Sequence, residues 1–198
     1  MEPTEQLAVI LPTIIDIVER IEPEQLDDPT PCANFDVLAV LDHMIGLGST
    51  FVPAFLGETA TEPRGAGGVP STPPGQVPTA AFRAVMTDLL TAVTSPGAMD
   101  RMIDAPVGTV PGSVFARFVA FDGLIHGWDL ATATGQTYDL PDAVVADVSA
   151  FAREALVPEM RDGDTFAAAT TAPSGAGELL NLVAFSGREI GSPADLGA

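Results

Sequence analysis

Ser113–Gly135 reads SVFARFVAFDGLIHGWDLATATG, and the fold turns on how its apolar residues repeat. Phe115, Phe118, Val119, Asp122 and His126 are spaced by three and four, which places them on one face of an α-helix. Ser113 is positioned to cap the first turn, and Gly135 to close the last one as a left-handed C′ residue. A face carrying that many aromatic residues points into a protein core, so Asp122 and His126 go in with it. That raises the question of what two polar side chains do there.

The same period recurs on both sides of this helix. Leu7, Ile10, Leu11, Ile14, Ile17, Val18 and Ile21 mark a first helix, with Pro12 inside it as a kink or a shifted start. A turn-rich connection, PEQLDDPTPCANFD, leads to a second helix capped by Asp36, with Phe35 and Val40 placed as a hydrophobic staple and Pro53 as a kink. Thr79 is placed to cap a third helix carrying Phe82, Val85, Met86, Leu89, Leu90 and Val93. Pro141 is a first-turn proline for a fifth carrying Val144, Val145, Val148 and Phe151, and GELLNLVAFSG forms a last short one. MDRMIDAPVGTVPGS has room for a short extended piece, but no period-two strand run stands out. The expected fold is all-α: a four-helix bundle with additional short helices, in one domain over residues 1–198. Residues 57–78, rich in Gly, Pro and Thr, form a flexible loop, a lid over a site or a surface insertion.

Composition narrows the partners. The 198 residues carry a net charge of −19, and all eight basic residues are arginines, so nucleic acid and anionic membranes are excluded as expected partners. Apolar residues make up 46% of the chain, enough for a substantial core. Cys32 is the single cysteine, which rules out an intrachain disulfide and suits a reducing cytoplasm. The acidic N-terminus lacks a signal peptide's basic region, and no apolar run is expected to reach the roughly 20 residues of a membrane span.

His43 and His126 are the two histidines, and both sit on faces expected to point inward. Each could be a buried, hydrogen-bonded core histidine. Yet Asp122 lies four residues before His126, and two imidazoles with one carboxylate make a three-ligand metal set with a position open for water or substrate. Zinc suits these donors best, with nickel, iron or manganese as further possibilities. Asp129 is a candidate to orient His126 through its other ring nitrogen, and Arg117 to pair with an acidic substrate or a surface carboxylate. Trp128 and Cys32 are expected to pack.

DDPTPCANFDVLAVLDHMIG, with Thr30, Pro31, Cys32, Phe35, His43 and Gly46, resembles the N-terminal signature of the mycothiol-dependent maleylpyruvate isomerase metal-binding domain, of the DinB-like superfamily. FDGLIHGWDLATATGQ is similar to that family's second signature, and LLNLVAFSGRE to the ending of its short, single-domain members. The resemblance implies a DinB-type four-helix bundle holding a divalent metal between helices, with His43, Asp122 and His126 as ligands. It also implies mycothiol or a similar thiol as cosubstrate and, by analogy with DinB-like proteins, a homodimer. The family usually has Glu where this chain has Asp122, one methylene shorter. The isomerase's second domain has no counterpart within these 198 residues.

Three functions follow as expectations. The first is a metal-dependent enzyme, a thiol S-transferase or isomerase, that adds a small thiol to an electrophilic small molecule. The second is a metal-dependent hydrolase using metal-bound water, with Asp129 or Asp42 as its base. The third is a non-catalytic bundle that binds a metal or small molecule.

Overall fold

The computed structural model describes residues 1–58, 73, 75–105, 108–158, 161 and 167–190. Six helices and one hairpin run through them: α1 (Pro3–Val18), α2 (Val37–Leu56), α3 (Thr79–Val93), β1 (Met102–Ala105), β2 (Gly108–Pro111), α4 (Gly112–Ala133), α5 (Asp142–Ala155) and α6 (Glu178–Phe185). Most of the loop expected over 57–78, namely 59–72 and 74, lies outside the described residues.

Helices α1 to α4 form a closed ring of contacts. α1 packs on α3 and α4, and α2 packs on the same two. This is the all-α DinB-like four-helix bundle, with α5 added against α4 and α6 against α5. The hairpin that pairs Met102 with Pro111 is the extended piece foreseen between α3 and α4.

α4 is the central helix, and more of it is buried than the one face its spacing suggests. From Ala120 to Ala131 every residue except Asp122 is buried, because α5 covers the side turned away from the bundle. Gly127 makes this possible. A Cβ there would come within 2.5 Å of the Tyr138 hydroxyl and 2.9 Å of Ile14 Cγ1, so α1 and the chain after α4 close directly on bare backbone. At its end, Gly135 adopts φ +66°, donating to Thr132 O while Gln136 donates to Ala131 O, the paired bonds of a Schellman close.

N-terminal caps follow the sequence in one case and depart from it in three. Asp36 caps α2, accepting from the Ala39 N–H at 2.7 Å. Thr79 is the first residue of α3, because the Pro78 carbonyl already accepts the first helical bond from Phe82 N–H. Ser113 lies inside α4, where its N–H donates to Met99 O and that of Gly112 to Arg101 O, so backbone meets the need a side-chain cap would fill. Pro141 is the N-cap of α5, one position outside the first turn.

Neither proline interrupts its helix. Pro12 and Ala8, whose carbonyl loses its partner, are both on the exposed side of α1, so the oxygen is open to solvent. The expectation that no segment could span a membrane needs correction. α2 is 20 residues long, with a mean hydropathy of 1.5, and passes by length and composition. In this fold it buries Val37, Val40, Leu41, Met44, Ile45 and Phe55 in the bundle, and it carries Asp42 and His43.

Candidate metal centre

Three side chains converge from two helices. His43, in the second turn of α2, and Asp122 and His126, one turn apart on α4, bring their ligand atoms within 4.8 Å of one another. Asp122 Oδ1 is 3.5 Å from His43 Nε2 and 3.6 Å from His126 Nε2. Four ligands at zinc–nitrogen and zinc–oxygen distances sit about 3.4 Å apart at the corners of a tetrahedron, so these separations suit one ion between them. The shorter Asp122 therefore reaches both imidazoles. The rings lie edge to face with centroids 4.9 Å apart, and Phe35, expected as a staple to Val40, lies 5.5 Å from one and 6.2 Å from the other.

The electrostatics match a mutually stabilising cluster. Burial works against the charge on Asp122, but His126 and then the His43 hydrogen bond outweigh it and hold the carboxyl below its usual range. Burial likewise depresses His43, and the hydrogen bond and charge of Asp122 more than reverse it, so the imidazole titrates above its ordinary value.

Behind His126 lies an ion-pair chain that sequence spacing anticipates only in part. Asp129 is fully buried and sits 3.0 Å from His126 Nδ1. An imidazole that donates Nδ1–H to a carboxylate keeps Nε2 bare, the tautomer a metal or proton needs. Arg188 in turn grips Asp129 through Nη2 at 2.8 Å and Nε at 3.3 Å. Its position is set by the end of α6. Gly187, at φ +96°, donates to Ala184 O, and the Arg188 N–H to Val183 O, another Schellman turn. The Thr170 hydroxyl then ties down the Arg188 carbonyl at 2.6 Å. The sequence shows the Ser-Gly-Arg that carries this arginine, but no spacing rule connects it to a helix 59 residues earlier.

The remaining expectations divide. Arg117 takes the surface-carboxylate alternative, away from the three donors: it donates to Asp147 at 3.3 Å and to the Met1 carbonyl at 3.0 Å, fastening the N-terminus to α5. Asp42 is exposed and does not line the cavity beside the histidines. Trp128 packs in the core as expected. Cys32 is half-buried on the cavity wall, near enough to His126 and Asp129 to form a second possible ligand group. Burial raises its thiol pKa, with Arg188 only partly opposing.

The profile of the mycothiol maleylpyruvate isomerase N-terminal domain matches residues 10–131, from α1 through the second histidine. The chain belongs to that family. It lies within the DinB-like superfamily, as the bundle indicates. Two uncharacterized proteins of Mycobacterium tuberculosis, MT0763 and Rv0738, are each 33% identical over 175 residues, covering 88% of this chain and 91% of their own. No solved structure matches. The family makes this a mycothiol-related helical domain, and the clustered donors make metal binding plausible in it.

Proposed function

We propose that the protein holds one divalent metal, zinc by its nitrogen and oxygen donors, through His43, Asp122 and His126, and transfers a small thiol of the mycothiol type to an electrophilic small molecule. The observation that carries this is the convergence of those three donors at one end of a cavity of about 460 Å³. A metal ion so held supplies Lewis acidity, favouring the thiolate form of a coordinated thiol at neutral pH.

The chain's own residues do the rest. His43 and His126 present Nε2 to a common point, and Asp122 places its charge between them. Asp129 holds His126 in the tautomer with Nε2 bare, and Arg188 holds Asp129 in place. Phe35 and the apolar wall beyond it keep water away from a thiolate, which strengthens every charge interaction there. The hydrolase alternative has less support. Asp129 is committed to His126 and Arg188, Asp42 is exposed, and Asp122 is the one carboxylate lining the cavity, so no separate base faces it among the described residues.

A cytoplasmic location and a homodimer belong to the same proposal, the first because low-molecular-weight thiols are reduced there and the second by analogy with DinB-like bundles. The test is a thiol-conjugation assay with zinc-loaded protein and an electrophile panel. Loss of conjugation in His43→Ala supports the proposal, and a His43→Ala protein as active as the parent refutes it.

A further inference from the structure

The cavity beside the three donors extends much further than a metal and a thiol sulfur require. On α2, His43, Leu47 and Phe51 line it at successive turns, and on α4 His126, Asp122, Val119 and Phe115 do the same in the opposite chain direction. Eight residues of α2 separate His43 from Phe51, a run of about 12 Å along the helix. Phe51 and Phe115, their centroids 4.4 Å apart, mark the far end. Met86 and Leu89 of α3 complete the wall. The polar lining residues, Cys32, Asn34, His43, Asp122, His126 and Arg188, belong to the end that holds the histidines. At about 460 Å³, the space takes about 15 water-sized groups.

Charge decides what fills it. Asp122 is the carboxylate that lines the polar end, and the guanidinium there, Arg188, already gives two donor nitrogens to Asp129 behind it. The whole chain carries −19. In metal-free protein a ligand bringing a further negative charge would be desolvated beside that carboxylate, whereas an apolar body gains from every methylene it buries on the Leu47–Phe51 side.

We infer that the cavity binds an uncharged, amphipathic small molecule, its polar or electrophilic head among His43, Asp122 and His126 and an apolar body reaching to Phe51 and Phe115. The inference rests on the proposed function for the role of the head but not for the binding of the body. That binding is tested on chelated protein, so failure of the metal proposal and failure of this one are read separately.

Isothermal titration calorimetry of the full chain with 1-octanol and with octanoate, after chelation, compares two ligands that share a body and differ in charge. 1-Octanol is expected to bind with one site per chain, at least about tenfold tighter than octanoate, and to keep its affinity when zinc is restored, since buried methylenes carry it. Leu47→Trp fills the passage, and its affinity for octanol should fall at least about tenfold while far-UV circular dichroism remains that of the parent. Leu47→Phe is the milder substitution if the tryptophan variant does not fold. Octanoate binding as tightly as octanol, no saturable octanol binding, or a folded Leu47 variant with parental affinity would each overturn the inference.

Discussion

Arg188→Met is the substitution with the largest expected effect on folding for the least loss of packing. Asp129 is 0% exposed and Arg188 11%, so the pair is out of water on both sides. Methionine replaces the stem of the arginine but leaves a buried carboxylate whose remaining partner is His126. Removing one member of a buried pair costs about 3–5 kcal/mol, and the surviving imidazole contact puts this case near the lower figure. At about 2–4 °C per kcal/mol for a chain of this length, the melting temperature should fall by about 6–12 °C. The double variant Arg188→Met/Asp129→Asn carries no orphaned charge and should regain at least half of that loss. The measurements are thermal and urea denaturation followed by far-UV circular dichroism, with a chelator present so that metal does not contribute. A single variant within about 2 °C of the parent would show that Arg188 does not compensate Asp129, and the ion-pair chain behind His126 would be wrong.

Four further outcomes are expected. Gly127→Ala should destabilise by about 1–3 kcal/mol in urea unfolding, since its Cβ meets Tyr138 and Ile14; adding Tyr138→Phe, which removes the nearest atom, should recover part of it. The Tyr138 hydroxyl is also buried with no hydrogen-bond partner among the described residues, so Tyr138→Phe alone should not destabilise. Asp36→Ala removes the α2 cap and should cost about 1 kcal/mol by the same assay. In metal-free protein, His43 titrates above its ordinary value of about 6.5, so its stabilising contribution is full below that pH and disappears as pH rises through the raised value. Asp122 titrates below about 3.8, so its contribution is full above that pH and disappears as pH falls through the lowered value. Stability from the pair should therefore be greatest between the two, and Asp122→Asn should flatten the melting temperature against pH.

The legible part of this protein was what repeats along one helix. Apolar residues three and four apart located every helix of the bundle, and the same register put Asp122 and His126 on one face with His43 on another inward face. Helix ends were less legible, because backbone from elsewhere does the capping: Met99 and Arg101 carbonyls meet the first turn of α4, where Ser113 looked sufficient. Arg117 shows the limit of register. It shares a helix with the site, yet points to Asp147 and the N-terminus, and only the placement of α5 decides that. Arg188 shows the opposite case, a residue far along the chain delivered to Asp129 by the turn at Gly187. The depth of the cavity was not legible either, since it depends on how α2, α3 and α4 are spaced.

The central claim is that His43, Asp122 and His126 hold one metal ion. Its most direct test is metal content and affinity of protein purified without a polyhistidine tag, by mass spectrometry of bound metal and zinc titration. One ion per chain is expected in the parent, with a large loss of affinity in His43→Ala, Asp122→Ala and His126→Ala, each still folded. No bound metal and no thermal shift with zinc, nickel or manganese, or three variants that bind zinc as tightly as the parent, would contradict it.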